Sequence, residues 1–317
     1  MKNTILTFCC ILLQQSLFAE NKDWLIDGSP YKTEVNLSSD KKQIELTNGL
    51  LRRSFSLTPN GATIALDNLM TGQNELRAVR PEAVLVINGK EYPVGGLEGQ
   101  PVHNFLTKDF LSGMQLCDSA FVLAGYTVSE TKERFPWKPN EAWISNRYPW
   151  PAPGKRITFT YRAPRKIVDE CKGLTIRIVY ELYDGAPILS KWIEIENNGQ
   201  KAVTLDSFKS EVLALVETAP KVHYGEPHEV RMMAQKTGYY TEDYRKRPVQ
   251  TDAPRDYIDR FTQLFVVTDY AMGGDMEAMK DNPAVRWVFD HPEYEFTGIR
   301  YYGQYKPARL EVTPLLG

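Results

Sequence analysis

The chain has 317 residues, 42% hydrophobic and 25% charged, which is the composition of a globular protein able to bury one large core or two ordinary ones. Its formal net charge of −2 gives no electrostatic ground for a nucleic-acid partner or for an anionic membrane. Aromatic residues make up 11%, Tyr being the commonest at 17, and such rings suit both β-strands and sugar-binding surfaces.

The first segment reads as a Sec-type signal peptide. Lys2 supplies a positive start, residues 5–13 a short apolar run, and Ser16-Leu17-Phe18-Ala19 a small-residue end. That run is far shorter than the roughly 20 residues a membrane span needs, and no other stretch in the sequence could cross a bilayer. Cleavage after Ala19 leaves residues 20–317 as one mature domain, exported to the periplasm or the extracellular space. Cys9 and Cys10 leave with the signal, and Thr7 and Phe8 before them are not the small residues of a lipoprotein signal. Cys117 and Cys171 remain, either as an oxidised pair or as two buried free thiols. No Cys-x-x-Cys and no metal-type spacing is present, so neither a metal nor another cofactor is expected.

Beyond the signal the hydrophobic period is 2 almost everywhere. Ile44 and Leu46 alternate with Gln43 and Glu45, Asn48-Gly49 turns the chain, and Leu51, Arg53, Phe55 and Leu57 continue with mixed polarity. Pro59-Asn60-Gly61 is a second turn before a strand at 63–66. Residues 84–87 and 90–94 flank Asn88-Gly89, the strongest short hairpin signal. Ile157, Phe159 and Tyr161 alternate in one strand, and Leu174, Ile176, Ile178, Tyr180 and Leu182 in another. Asp184-Gly185 closes the latter, and residues 188–196 return antiparallel to it. Further long strands are predicted at 203–216 and 261–268. Short helices are predicted only within 251–261 and 272–279. Hairpin-linked strands without a βαβ pattern predict an all-β fold, a large antiparallel sandwich. Two excursions interrupt it: a Pro/Trp-rich insertion at 131–153 and a polar, Tyr-rich stretch at 222–256.

Four stretches carry a resemblance. They are Leu-Thr-Asn-Gly-Leu-Leu-Arg-Arg at 46–53, residues 62–72 ending in Asn68-Leu69-Met70-Thr71-Gly72, Val94-Gly95-Gly96-Leu97, and Tyr-Glu-Leu-Tyr-Asp-Gly-Ala-Pro at 180–187 with Lys191-Trp192 and Asn197. In this order they resemble the N-terminal domain of glycoside hydrolase family 36 α-galactosidases and their clan D relatives. The resemblance implies a β-supersandwich related in shape to galactose mutarotase, placed before a (β/α)8 barrel. In such enzymes the two catalytic carboxylates of a retaining double displacement stand on the barrel. A barrel takes about 250 residues, and none is legible here, so no catalytic residue is carried over. The expectation is an accessory sandwich of an exported glycosidase acting on α-galactosides, without hydrolytic activity of its own. Its partner would be a catalytic barrel, and a barrel-facing apolar patch would favour homo-oligomers of the lone domain. The alternatives are a self-standing carbohydrate-binding or scaffolding sandwich and a mutarotase-like epimerase.

The candidate carbohydrate-binding residues are Trp137, Trp143, Tyr148 and Trp150, all within the 131–153 insertion beside Phe135. Flat rings stack on the apolar face of a pyranose and keep an N–H or O–H for hydrogen bonds; the same rings could instead plug the sandwich edge. His223, Glu226 and His228 suggest a metal site or a mutarotase-like acid and base, but the stretch carries Pro227 and no helical period, so the two His have no fixed relative geometry. Asp290-His291 reads as a turn. Acidic pairs such as Glu194/Glu196 and Glu141/Asp184 have no separation that sequence can supply.

Overall fold

The computed structural model of the chain describes residues 23–100, 106–138, 142, 149–163, 171–215, 235–237, 240–242, 285–289 and 308–313. In chain order these form β1 (Glu34–Leu37), β2 (Gln43–Thr47), β3 (Leu51–Ser56), β4 (Ala62–Asn68), β5 (Gln73–Asn74), β6 (Leu76–Ala78), β7 (Ala83–Ile87), β8 (Lys90–Val94), α1 (Lys108–Gly113) and β9 (Val122–Glu130). They continue as β10 (Gly154–Arg162), β11 (Leu174–Tyr183), β12 (Leu189–Asn197), β13 (Leu205–Lys209), β14 (Glu211–Leu215), β15 (Gln235–Thr237), β16 (Tyr240–Glu242), β17 (Val285–Phe289) and β18 (Ala308–Val312). The sheets run β1-β2-β3-β4-β5, β12-β11-β10-β9, β13-β7-β8, β17-β18-β14-β6 and β15-β16. Every ladder between these strands is antiparallel. The fold is the all-β antiparallel sandwich that period-2 patterning predicts.

The period explains which side chains meet. Along β10 and β11, Ile157 stands opposite Tyr180, Phe159 opposite Ile178 and Tyr161 opposite Ile176. These inward rows pack against Ile44, Leu46 and Phe55 of the first sheet and Ala83, Leu85, Ile87, Tyr92 and Val94 of the β13-β7-β8 sheet. Phe55, Phe159 and Tyr180 form its aromatic centre, with ring centroids 4.8 to 6.1 Å apart. A second cluster joins Leu66 and Leu76 to Leu213, Leu215, Leu310 and Val312. The Asn88-Gly89 turn has φ of 50° and 75°, the two positive angles a type I′ turn needs.

Two expectations are corrected. The segment 203–216 is not one strand. β13 pairs with β7, whereas β14 pairs with β18 and β6, and the chain changes sheets at Ser210, whose N–H donates to Val312 O at 2.8 Å. A hydrophobic pattern does not register such a switch, because it does not say which strand each half pairs with: β13 is only partly buried, and β14 is buried at four consecutive positions. The helix α1 was not foreseen either. Its signal was local: Thr107 is the N-cap, its hydroxyl accepting from Phe110 N at 3.3 Å, with Asp109 in the first turn. The predicted strand at 261–268 and both predicted helices lie outside the described residues, as does the signal segment.

The stretches at 46–53 and 180–187 are locked together. The Asn48 side chain is buried; its Nδ2 donates to Tyr183 O and Ala186 O at 2.8 and 2.7 Å, and its Oδ1 accepts from Leu50 N and Leu51 N. The Asp184 carboxylate accepts from Thr33 N and Lys32 Nζ, and Gly28 lies so close to Gly185 that a Cβ there would come within 2.6 Å of Gly185 O. Burial raises the Asp184 carboxyl, but the hydrogen bonds from Thr33 and Lys32 outweigh that and hold it below its usual range. Asn48→Ala strands two carbonyls and two N–H groups at once. It is expected to lower stability by about 2–4 kcal/mol, read as a fall in the urea midpoint with an unchanged m-value.

Candidate functional site

Two constellations stand out, one on each face of the β12-β11-β10-β9 sheet. The inner one is ionic. Arg53 on β3 and Glu82 just before β7 have side chains only 3% and 1% exposed. Lys191 on β12 stands opposite Tyr180 on β11 and therefore points into the core, and Glu211 opens β14. Arg53 makes a two-pronged pair with Glu211, Nη1 to Oε2 at 2.7 Å and Nη2 to Oε1 at 3.2 Å, and its Nε donates to Thr63 Oγ1 at 2.9 Å. Lys191 Nζ donates to Glu211 Oε1 at 2.7 Å and also to the Glu82 carbonyl. Glu82 accepts from Thr63 N, Thr63 Oγ1 and the Tyr180 hydroxyl. The Tyr180 ring lies 4.6 Å from the Arg53 guanidinium and 5.1 Å from Lys191 Nζ, so both cations also meet an aromatic ring.

Two cations and two carboxylates make the cluster neutral. Burial raises the Glu211 carboxyl, but Arg53 and Lys191 outweigh it and bring its pKa to about 2. Burial pushes the Tyr180 and Tyr161 hydroxyls well up. Every carboxylate oxygen of Glu82 and Glu211 already has a partner. This is the bonding of a structural lock; a general acid or base needs an oxygen open to substrate.

The outer constellation faces away from that core. Glu181 neighbours Tyr180 in β11, so the pleat sends it to the opposite face. Its Oε1 accepts from Arg156 Nε at 2.7 Å and its Oε2 from the Tyr183 hydroxyl at 3.0 Å, and Tyr183 also reaches Ser190. Trp192, next to Lys191, is likewise turned outward, with the Arg134 and Arg156 guanidiniums 4.8 and 5.0 Å from its ring. Arg156 donates to Lys132 O, holding the start of the 131–153 segment to the sheet. From there the rings of Phe135, Trp137 and Trp150 cluster, Trp150 lying 5.5 Å from Phe135 and 5.1 Å from Trp137. Trp150 Nε1 donates to Glu133 Oε1 at 3.2 Å. Phe135 is 49% exposed and Trp137 37%.

Of the predicted sugar-contact residues, the fold therefore brings Trp137 and Trp150 together, with Phe135. Trp143 and Tyr148 lie outside the described residues, as do His223, Glu226, His228, Glu141, Asp290 and His291. Glu194 stands opposite Arg177 on β11 and Glu196 opposite Thr175, and Arg177 forms ion pairs with both. Cys117 and Cys171 are free thiols. Among the described residues no group of three His, Cys, Asp or Glu side chains is arranged to hold a metal ion, and no helix is long and apolar enough to cross a membrane. The ionic cluster was not anticipated from sequence. Its signal was a charge on the core phase of a strand: Arg53 between Leu51 and Phe55, and Lys191 in phase with Leu189 and Ile193.

No family model matches the chain, and no curated protein and no solved structure matches it.

Glu211→Gln removes one anion from a cluster that stays buried. The expected loss is about 3–5 kcal/mol at neutral pH. The sign of its pH dependence follows from the depressed pKa. Wild-type stability from this group is complete above the unfolded value near 4.5 and is lost as pH falls toward about 2. Urea unfolding at pH 7 and pH 3 checks it: the gap between wild type and variant should narrow at the lower pH.

Proposed function

We propose that this chain is a carbohydrate-binding sandwich that serves, without catalysing, an exported glycoside hydrolase acting on α-galactosides. The observation that carries the reading is the exposed Phe135–Trp137–Trp150 cluster at the rim of a sheet whose outer face also bears Trp192, Tyr183 and charged hydrogen-bonding groups. Rings with one open face and a neighbouring donor suit a pyranose, which offers an apolar face and a ring of hydroxyls. Pro136, Pro149 and Pro151 stiffen the segment and reduce the entropy lost when it engages a ligand. The antiparallel sandwich is the architecture that the resemblance to the N-terminal domain of family 36 α-galactosidases implies. Convergence of the resembling stretches adds to that support: Arg53, Thr63, Tyr180 and Lys191 come from three of the four and meet at one buried cluster. A barrel partner and the export route belong to this proposal.

Calorimetric titration of the chain with an α-galactosyl oligosaccharide such as raffinose tests it, with intrinsic Trp fluorescence as a second signal. Binding is expected, and Trp137→Ala and Trp150→Ala should each weaken it by about tenfold, the effect of losing roughly 1.4 kcal/mol of ring contact. Absence of heat and of any fluorescence change with α-galactosides would refute the reading.

A further inference from the structure

Two consecutive residues of the aromatic segment reach two different tryptophans. The Glu133 carboxylate accepts the Trp150 indole N–H, with Nε1 3.2 Å from Oε1. The next residue, Arg134, lays its guanidinium 4.8 Å from the Trp192 ring on the outer face of β12. Phe135 and Trp137 follow directly, and both rings rest on Trp150, at centroid distances of 5.5 and 5.1 Å. Trp150 is half-buried, whereas Phe135 and Trp137 are exposed. Glu133, Phe135 and Trp137 therefore share Trp150, and Arg134 between them ties the same stretch to the sheet. The root below is also tied: Thr131 N donates to Gly154 O at 3.3 Å and the Thr131 hydroxyl to Ala152 O, so the two legs of the insertion are joined there. Lys132 N donates to Glu181 Oε1 at 3.4 Å, and Arg156 donates to Lys132 O.

We infer that Glu133 and Arg134 are positioning residues of the binding surface, holding the Phe135 and Trp137 rings in place without touching the ligand themselves. The inference rests on the carbohydrate-binding reading above and adds how its rings are presented. Rings as exposed as Phe135 and Trp137 take no orientation from core packing. Left free, each would rotate about its side-chain torsions, and ordering them on a ligand would oppose binding. Glu133 reduces that penalty by fixing the indole against which both rings lie. Arg134 reduces it by pinning the backbone one residue before Phe135. Its planar guanidinium suits the face of an indole, which an ammonium group matches only in charge. Both contacts lie at the surface and are individually weak. Their loss should therefore loosen the rings and leave the sandwich intact.

Two measurements on the full chain test it. Calorimetric titration with raffinose reads the affinity, and NMR relaxation of the Trp137 and Trp150 indole N–H groups reads ring order with no ligand present. Glu133→Ala and Arg134→Ala should each weaken raffinose binding by about two- to fivefold. Each should also raise indole mobility, with the urea midpoint unchanged. Glu133→Gln keeps an oxygen acceptor for the indole and should restore both affinity and order; Arg134→Lys should restore them only in part. Double variants check the pairing. Glu133→Ala should add nothing to Trp150→Phe, which keeps a ring but has no N–H, and Arg134→Ala should add nothing to Trp192→Leu. Unchanged affinity in Glu133→Ala and Arg134→Ala overturns the inference, and so does a loss of affinity that tracks a lower urea midpoint. If the wild-type chain binds no galactoside, the carbohydrate reading fails and indole relaxation alone decides the inference. Rings as ordered in both variants as in wild type then overturn it, and loosened rings uphold it.

Discussion

The Tyr180 hydroxyl bonds Glu82 while its ring lies against Arg53 and Lys191, and those two cations share Glu211. Four sheets meet at this point, because Arg53 belongs to β3, Tyr180 and Lys191 to β11 and β12, and Glu211 to β14, while Glu82 leads into β7. Apolar packing alone would hold these sheets together over a range of offsets, since hydrophobic burial is non-directional. Paired charges in a dry interior do not tolerate that range, because any slip leaves an ion unmatched at a cost of several kcal/mol. The cluster therefore acts chiefly on specificity. It selects one arrangement of sheets from the many that the same apolar rows could build.

The same two strands carry the surface. Tyr180 and Lys191 point inward, and their chain neighbours Glu181 and Trp192 point outward, as a pleated strand requires. Glu181 then fixes Arg156 and Tyr183, Arg156 holds the Lys132 carbonyl, and the aromatic segment starts from there. The position of the Phe135–Trp137–Trp150 cluster thus depends on the register of β11 against β12 and, through it, on the buried ions. Loops that present rings to a ligand lose less entropy on binding when their base is anchored in this way. An aromatic platform anchored on a central strand gains rigidity that an insertion of 131–153 could not supply by itself.

The inner cluster has the residue types of an active centre, two carboxylates beside a Lys, an Arg and a Tyr. Geometry separates the two roles. Here each carboxylate oxygen is already bonded within the protein, and the side chains are nearly free of solvent contact. Catalytic carboxylates must present an oxygen to the bond they break or form. The exposed rings of Phe135 and Trp137 are where a ligand can arrive, so the functional reading belongs there.

The sequence by itself determined the strand pattern, because alternation of apolar and polar residues is a local property with period 2. It also determined the hairpin of 174–183 with 188–196, which the fold forms as Leu174–Tyr183 with Leu189–Asn197, and the Asn88-Gly89 turn, since Gly and Asn are the residues that accept positive φ. It placed Trp137, Trp143, Tyr148 and Trp150 in one insertion, and of these the described residues Trp137 and Trp150 lie together. Tertiary structure alone decided that the run from 203 to 216 divides between two sheets, since apolar patterning does not name the strand that each half pairs with. Tertiary structure alone also decided that Arg53, Glu82, Lys191 and Glu211 meet, because an ion pair depends on distance in space and these four are up to 158 residues apart in the chain. Sequence could mark Arg53 and Lys191 only as charges on the core phase of a strand, and it took the packing of four sheets to bring each its counterion.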